Sequence, residues 1–512
     1  MIIVYHSQNK VKKVVSANNE IVSFNKKDTI SSVLINLALI HQQSKIVWCD
    51  LSCENYLNLE AITDAFHHNK MMLSYNLGNN FLDRKIGYID KSAFIVINKK
   101  VTYPTWQMSS LAGAIHAEVL LSVKEKIKLD SNFDYYLTSL AKVCMPLGLL
   151  CYSEPKLLVK NDLIFAIKPS NLLLFKFVKQ HYRTRWIFLL FLNLMIYELK
   201  FPFFALVYSI FFKNRNNSNI DIDEIKVHSA LKVIDSGTID VIIPTIGRKK
   251  YLYDVLIDLS HQTILPECVI IVEQNPEINS TSELDYITKE KWPFEIKHIF
   301  THQMGACNAR NVALSQVKSE WVFLNDDDNR FGPDLLKDVL VNLEKFGIKT
   351  LSTSYIQPHE KKRNIRINQS SMFGSGNSFI HSSILNKVKF NGKFEFGYGE
   401  DSDFGMQMRN QGYDILYFPN PEIVHLKAPS GGFRIKPKLG WSNDRIIPKP
   451  SPTIMLYKIL HETTEQRNGY KTILFFKYYT KQSIKNPIKY FLNFNKEWKQ
   501  SYYWANKLIQ NS

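Results

Sequence analysis

The chain has few of the features that would place it outside a reducing cytosol. Its 512 residues hold only six cysteines, and Cys49 and Cys53 lack the CxxC spacing or a second paired motif that a zinc site requires. Free buried thiols are the expectation. The start, Met-Ile-Ile-Val-Tyr-His, begins as a strand without a charged n-region, a long apolar core or a small-residue cleavage site, so no signal peptide is expected and the cytosol is the expected compartment. Long apolar runs are also scarce. Residues 186–197 and 201–212 are twelve-residue runs broken at Glu198-Leu199-Lys200, with Pro202 just beyond. Each is too short to span a bilayer, although 186–212 as a whole is long enough if its polar residues are tolerated. Lys176, Lys179, Arg183 and Arg185 precede the runs, and Lys213 and Arg215 follow. That pattern suits paired helices lying in a membrane surface; a buried bridge and a single tilted span are the alternatives.

Acidic residues are sparse at the end of the chain. Residues 431–512 carry fifteen Lys and Arg against four Asp and Glu, a net +11 of the chain's +17. Lysines alternate there with aromatics, as in Phe475-Phe476-Lys477-Tyr478-Tyr479 and in Trp498-Lys499 through Tyr503-Trp504. This fits anionic head groups or a lipid diphosphate acceptor, with a solvated helical face packed on the preceding domain (231–430) as the plain alternative. No nucleic-acid motif accompanies the charge, and no nucleic-acid partner is expected.

Against this background stands one dense cluster. Residues 321–329, Trp-Val-Phe-Leu-Asn-Asp-Asp-Asp-Asn, run apolar strand-like residues into three consecutive carboxylates. At close range in a poorly solvated turn Asp326, Asp327 and Asp328 repel one another, and a divalent cation bridging to phosphate relieves this. A solvated acidic turn is the plain alternative. Upstream, 239–245 (Ile-Asp-Val-Ile-Ile-Pro-Thr) reads as a buried strand followed by a Gly247-Arg248 turn, 251–262 as a helix, and 268–272 as a second strand ending at Glu273. Strand, helix, strand begins an open parallel sheet whose ligands collect at strand carboxyl ends. Between lies 305–314, Gly-Ala-Cys-Asn-Ala-Arg-Asn-Val-Ala-Leu, where small residues allow a helix start to approach a ligand and Arg310 offers a planar donor fork.

Over roughly residues 240–425 these pieces resemble the family 2 glycosyltransferases of the GT-A fold. The resemblance rests on Val-Ile-Ile-Pro-Thr (241–245), Gly-Ala-Cys-Asn-Ala-Arg-Asn (305–311), Leu-Asn-Asp-Asp-Asp (324–328) and Gly-Glu-Asp-Ser-Asp (399–403), in that order. It implies an α/β domain with a Rossmann-like mixed sheet, a nucleoside diphosphate sugar donor, a manganese or magnesium ion, and inversion at the anomeric carbon. Residue by residue, it puts the nucleotide sugar against Pro244, Thr245, Glu273, Arg310, Asp326 and Asp327. It puts the metal on Asp328 with Asp326, and on His425 as in some relatives, an imidazole suiting manganese better than magnesium. Glu273 departs from the Asp that many relatives carry, so the base is left open. Glu400-Asp401 matches the family's Glu-Asp pair, with Asp401 as the base toward the acceptor hydroxyl; a helix N-terminal acidic cluster is the simpler reading of the same residues. Residues 373–377, Phe-Gly-Ser-Gly-Asn, match the segment beside the sugar, or form a plain turn. The expected acceptor is a surface glycan or lipid-linked saccharide, at the inner face of the plasma membrane. A sugar nucleotidyltransferase is disfavoured because Gly247-Arg248-Lys249-Lys250 supplies only one glycine. A catalytically silent glycan- or membrane-binding scaffold is the rival from another class.

Internal repetition accounts for the first part of the chain. Ala38-Leu39-Ile40 through Asp50 parallels Ala313-Leu314-Ser315 through Asp326, with Asp50 one place early. Ile115-His116 parallels Ile380-His381, and Asp134 with 149–155 parallels Asp403 with 415–421. The expectation is a degenerate GT-A-like domain over 1–165, an apolar helical linker over 166–230, the catalytic domain over 231–430 and a basic helical tail over 431–512. With the triplet reduced to Asp50-Leu51-Ser52, no metal diphosphate site is expected in the first copy.

Overall fold

The computed structural model describes residues 1–75, 81–159, 169–216, 219–429 and 438–510. The chain packs as two compact units, Met1–Ala230 with Glu462–Tyr478, and Leu231–His461 with Tyr479–Ser512. Both are α/β with mixed sheets.

In the first unit Ile2–Ser7, Lys45–Asp50, Ala112–His116, Met71–Tyr75 and Leu150–Ser153 lie side by side in that order, with Lys10–Ser16 and Tyr103–Pro104 at the edges. The four junctions run parallel, antiparallel, antiparallel, parallel. In the second unit Ile239–Thr245, Trp321–Asn325, Asn377–His381, Thr350–Ile356 and Leu416–His425 follow the same path with the same directions. Cys268–Gln274 and Glu295–Thr301 extend this second sheet in parallel at one edge, and Asn329–Phe331 joins it at the other. The central strands read as unbroken apolar runs because both faces are covered; Val241, Ile242, Ile243, Val322, Phe323 and Leu324 are all fully buried.

Register refines the internal parallel. His116 stands opposite Lys45, and His381 opposite Trp321. The connection preceding the second of these strands is one residue longer, so Asp50 takes the place of Asp326 itself. Asp134 is the second residue of the helix Phe133–Cys144 and accepts a hydrogen bond from the Ser110 amide at 2.8 Å. Asp401 is the second residue of Glu400–Asn410 and is bonded in the same way by Ser375. Asp134 therefore matches Asp401, not Asp403, a shift of two from the alignment of short words. Where the second unit has Glu400, the first has Phe133, buried edge-on against His6 and Trp48.

The linker forms three helices, Asn171–His181, Arg185–Glu198 and Phe203–Ile210, which pack within the first unit; Arg215 beyond them forks onto Asp130 at 2.8 and 3.1 Å. Among the described residues no helix is long and apolar enough to cross a membrane. The tail does not pack as one piece. Thr464–Tyr479 lies almost wholly in the first unit, where Gln466 donates to the carbonyls of Asp90 and Ser92. Pro452–His461 and Pro487–Gln510 belong to the second. Trp498 is buried with Tyr490 and Phe494, and Trp504 donates to Asp444 at 2.5 Å. On this helix packing covers Tyr490, Phe494 and Trp498, while Ile488, Phe491, Leu492 and Tyr503 stay more than half exposed. Residues 430–437 lie outside the described residues. The strand Leu416–His425 runs through Pro419 and Pro421, with a register shift at Thr353 and Ser354 of its neighbour.

Candidate active site

The cleft of the second unit lies at the carboxyl ends of its first strands, as the order of elements requires. Trp321–Asn325 carries the chain out of the core into the three aspartates, and Asn329 fixes the turn by donating to Asn325 Oδ1 at 2.6 Å and to the Gly376 carbonyl at 2.7 Å. The three carboxylates diverge. Asp326 is held between Arg310 Nη2 at 3.0 Å and the Tyr355 hydroxyl at 2.9 Å. A Cβ at position 376 would overlap the Asp326 carboxyl, so this approach requires Gly376. Asp327 accepts from Thr245 at 2.7 Å and from Arg248 at 2.6 Å. Burial is the largest influence on it and lifts its carboxyl to about 6 despite that guanidinium. Asp328 accepts from the Ala428 amide at 2.8 Å, lies 3.2 Å from Arg248 and 3.4 Å from His425 Nε2. Burial alone would raise it, but His425, the Ala428 amide and Arg248 outweigh that and hold it below its ordinary range.

The expected metal residues do converge. One ligand atom each from Asp326, Asp328 and His425 lie within 4.8 Å of one another. Asp328 Oδ1 is buried with only His425 Nε2 near it, at 3.4 Å, and two carboxylates with an imidazole are a fitting donor set for a small divalent ion. Tyr355 braces two of the three, since its hydroxyl bonds Asp326 while its ring stacks on His425 at 4.7 Å and 8°. Outer contacts of this kind fix ligand orientation.

On the other wall, Gly399 ends a turn with φ near +113°, and the helix Glu400–Asn410 starts one residue later. Asp401 is therefore in the first turn, where the helix N-terminus favours a carboxylate. Ser375 bonds its side chain, while Oδ1 is buried and has no partner. Burial, the largest influence, raises its pKa. Burial and then the Asp401 charge push Glu400 up to about 7. Arg310 stacks over Phe390 at 5.5 Å; its Nε and Nη1 are buried without a partner, so it presents two unused donors beside the aspartates.

Pro244, Thr245, Arg310, Asp326, Asp327, Asp328, Glu400, Asp401 and His425 all line one cavity of 580 Å³. Glu273 does not. Its carboxylate accepts from His298 at 2.8 Å and from the Glu283 amide at 3.2 Å, and the neighbouring Gln274 faces the cavity instead. The helix start at Ala306 is not open either. Glu395 accepts from the Cys307 and Asn308 amides at 3.1 and 2.9 Å, satisfying two of its free donors, and the left-handed Gly305 leaves the room that carboxylate needs. Arg248, Tyr355 and Glu395 are the residues that sequence reasoning did not assign to the site. Only Arg248 carried a local signal, its place in the turn after the first strand.

The Glu400 assignment has a stability consequence. A carboxyl whose folded pKa lies above its unfolded value favours the fold while protonated, and that contribution is lost as pH rises toward the folded value near 7. Glu400→Gln should therefore raise the melting temperature at pH 8 and leave it nearly unchanged at pH 4. Melting curves of both proteins across that range test it; an equal shift at both ends would show that ionisation of Glu400 is not the cause.

The Glycosyl transferase family 2 model matches residues 240–398. Among curated proteins, the chain is 26% identical over 106 residues to poly(ribitol-phosphate) beta-N-acetylglucosaminyltransferase TarS from two strains of Staphylococcus aureus, covering 20% of this chain and 18% of the relative. Among solved structures, S. aureus TarS 1-349 in complex with UDP-GlcNAc is 17% identical with a TM-score of 0.34, covering 49% of this chain and 74% of that one. S. aureus TarS 1-349 alone is 19% identical with a TM-score of 0.31, covering 37% and 60%.

Proposed function

We propose that this chain, whose residues 240–398 match the Glycosyl transferase family 2 model, moves a sugar from a nucleoside diphosphate sugar to an acceptor hydroxyl with inversion at the anomeric carbon. The observation that supports it best is the opposition within one cavity of two kinds of unsatisfied group. Arg310 brings two buried unpaired donors to the aspartate side, and Asp401 brings one buried unpaired oxygen from the helix side. The first suits an anionic diphosphate, the second an incoming hydroxyl.

In this reading the nucleotide sugar lies against Pro244, Thr245, Asp326, Asp327 and Arg310, with Gln274 facing it in place of Glu273. Asp326, Asp328 and His425 would hold manganese or magnesium, which when bound neutralises charge on the diphosphate. Asp401 accepts the proton of the acceptor hydroxyl. The hydroxyl oxygen then forms its bond to the anomeric carbon from the face opposite the diphosphate, and the nucleoside diphosphate departs with the electron pair of the broken bond. Glu400 shares the charge of this pair and sets the pH at which Asp401 is ionised. The acceptor is a hydroxyl of a surface glycan or a lipid-linked saccharide, and the enzyme is peripheral at the inner face of the plasma membrane. UDP-GlcNAc is the first donor to try because the curated relative that is 26% identical over 106 residues is named a beta-N-acetylglucosaminyltransferase.

The test is thermal stabilisation and slow hydrolysis of UDP, GDP and dTDP sugars by purified protein, with and without manganese. One donor should stabilise and be hydrolysed in a manganese-dependent way. No response to any donor from a folded protein would sink the reading in favour of a silent scaffold.

A further inference from the structure

The helical hairpin within the first unit buries one apolar face in the core and leaves a second apolar face in water. In the segment from Trp186 to Phe212 the buried face holds Ile187, Leu190, Leu194 and Leu206 together with two polar side chains: Asn193 is fully buried and accepts from the Thr472 hydroxyl at 2.6 Å, and Ser209 is fully buried and donates to the Leu206 carbonyl at 2.6 Å. Other large apolar side chains of the segment turn outward. Phe188, Leu199, Phe201, Phe203, Phe204 and Phe211 are each more than half exposed, with Leu199 at 90%, Phe211 at 81% and Phe204 at 75%. Scattered single exposures are ordinary; this many within two short helices and their connection form a patch that marks a binding surface.

Length and charge identify the partner. The helices Arg185–Glu198 and Phe203–Ile210 have 14 and 8 residues. At 1.5 Å per residue they reach about 21 and about 12 Å, short of a hydrocarbon core of about 30 Å. They are separated by Leu199 in the left-handed conformation and by Pro202, so they cannot fuse into one span. Exposed Arg183, Arg185, Lys200 and Lys213 flank the patch, and Glu198, paired with Lys200 at 2.8 Å, is the one acid in the segment. Apolar aromatics bordered by cations fit the boundary between acyl chains and anionic head groups.

We propose that this hairpin is a monotopic membrane wedge, which inserts its phenylalanine-rich face into the head-group region of an anionic bilayer without crossing it. This deepens the peripheral placement proposed above and does not depend on the transfer chemistry. The measurement uses the full chain without donor, in co-sedimentation with phosphatidylcholine vesicles with and without about one-third phosphatidylglycerol. Wild type should bind the anionic vesicles more tightly than the neutral ones. The uncharged triple substitution Leu199→Ser, Phe204→Ser, Phe211→Ser should weaken binding to the anionic vesicles at least about tenfold while keeping the wild-type melting temperature. If the triple variant melts early, Phe204→Ser alone should still weaken binding, by roughly threefold. Failure of wild type to bind either vesicle overturns the proposal. So does equal binding by a folded variant, which would assign attachment to another surface such as the basic tail. Concentration-dependent self-association that the substitutions abolish, with no vesicle binding, would assign the face to a second copy instead. Because no donor is present, none of these outcomes bears on whether the cleft transfers sugar.

Discussion

Asp401→Asn should lower the turnover of sugar transfer by roughly a thousandfold, within the range expected for loss of a positioned base, while donor affinity stays within about threefold of wild type. The substitution keeps the size of the side chain and an oxygen for Ser375 to bond, but removes the lone pair that would take the hydroxyl proton. It also removes a buried charge from beside Glu400, so the protein should melt no earlier than wild type. The pH profile separates this role from mere packing. Because burial raises both carboxyls of the pair, wild-type turnover should fall as pH drops through about 7, where the pair takes up a proton. The variant's residual rate should lack that limb. Near-normal turnover by Asp401→Asn, or an unchanged acidic limb in its profile, would remove Asp401 from the mechanism.

Sequence motifs found the cavity groups that stand at consecutive positions. Asp326, Asp327 and Asp328 stand together at the end of an apolar strand, and Glu400 and Asp401 follow a glycine turn, so local pattern was enough to bring both into one cavity. Arg248 reaches Asp327 from 79 residues away and Tyr355 reaches Asp326 from 29; the turn after the first strand was a local signal for Arg248, and nothing in the neighbourhood of Tyr355 announces its contact. Glu273 misleads for a related reason. Strand alternation puts adjacent side chains on opposite faces, and here Gln274, not Glu273, has the cavity face while Glu273 is satisfied by His298. The repeated strand path was legible in Ile115-His116 and Ile380-His381 because a strand's apolar word survives divergence. The positions of Asp50 and Asp134 were missed by one and two residues because connections change length without disturbing the sheet. The aromatic tail was ambiguous in principle, since the same amphipathic period serves a packed helix and a lipid-facing one; Trp498 and Phe494 are buried within the second unit.

Asp328→Ala should abolish manganese-dependent stabilisation by the donor and weaken manganese binding itself by more than about a hundredfold, since it removes a direct ligand rather than an outer contact. Asp328 is 1% exposed, its Oδ1 faces His425, and its Oδ2 holds the Ala428 amide. The alanine variant therefore loses a ligand and a structural hydrogen bond together, and a fall in melting temperature alone would not be informative. Asp328→Asn separates the two effects. Its amide oxygen can still accept from Ala428, so it should melt close to wild type, yet the lost charge should leave manganese binding badly impaired. Tyr355→Phe completes the series from the outside. It keeps the ring on His425 at 4.7 Å but deletes the hydroxyl that bonds Asp326 at 2.9 Å, and should cost roughly ten- to a hundredfold in manganese affinity. Direct manganese titration by electron paramagnetic resonance, without donor, reads all three variants independently of activity. Wild-type affinity in Asp328→Asn would mean that the ion, if bound, is held elsewhere, and that the convergence of Asp326, Asp328 and His425 is an electrostatic contact between the strand ends rather than a metal site.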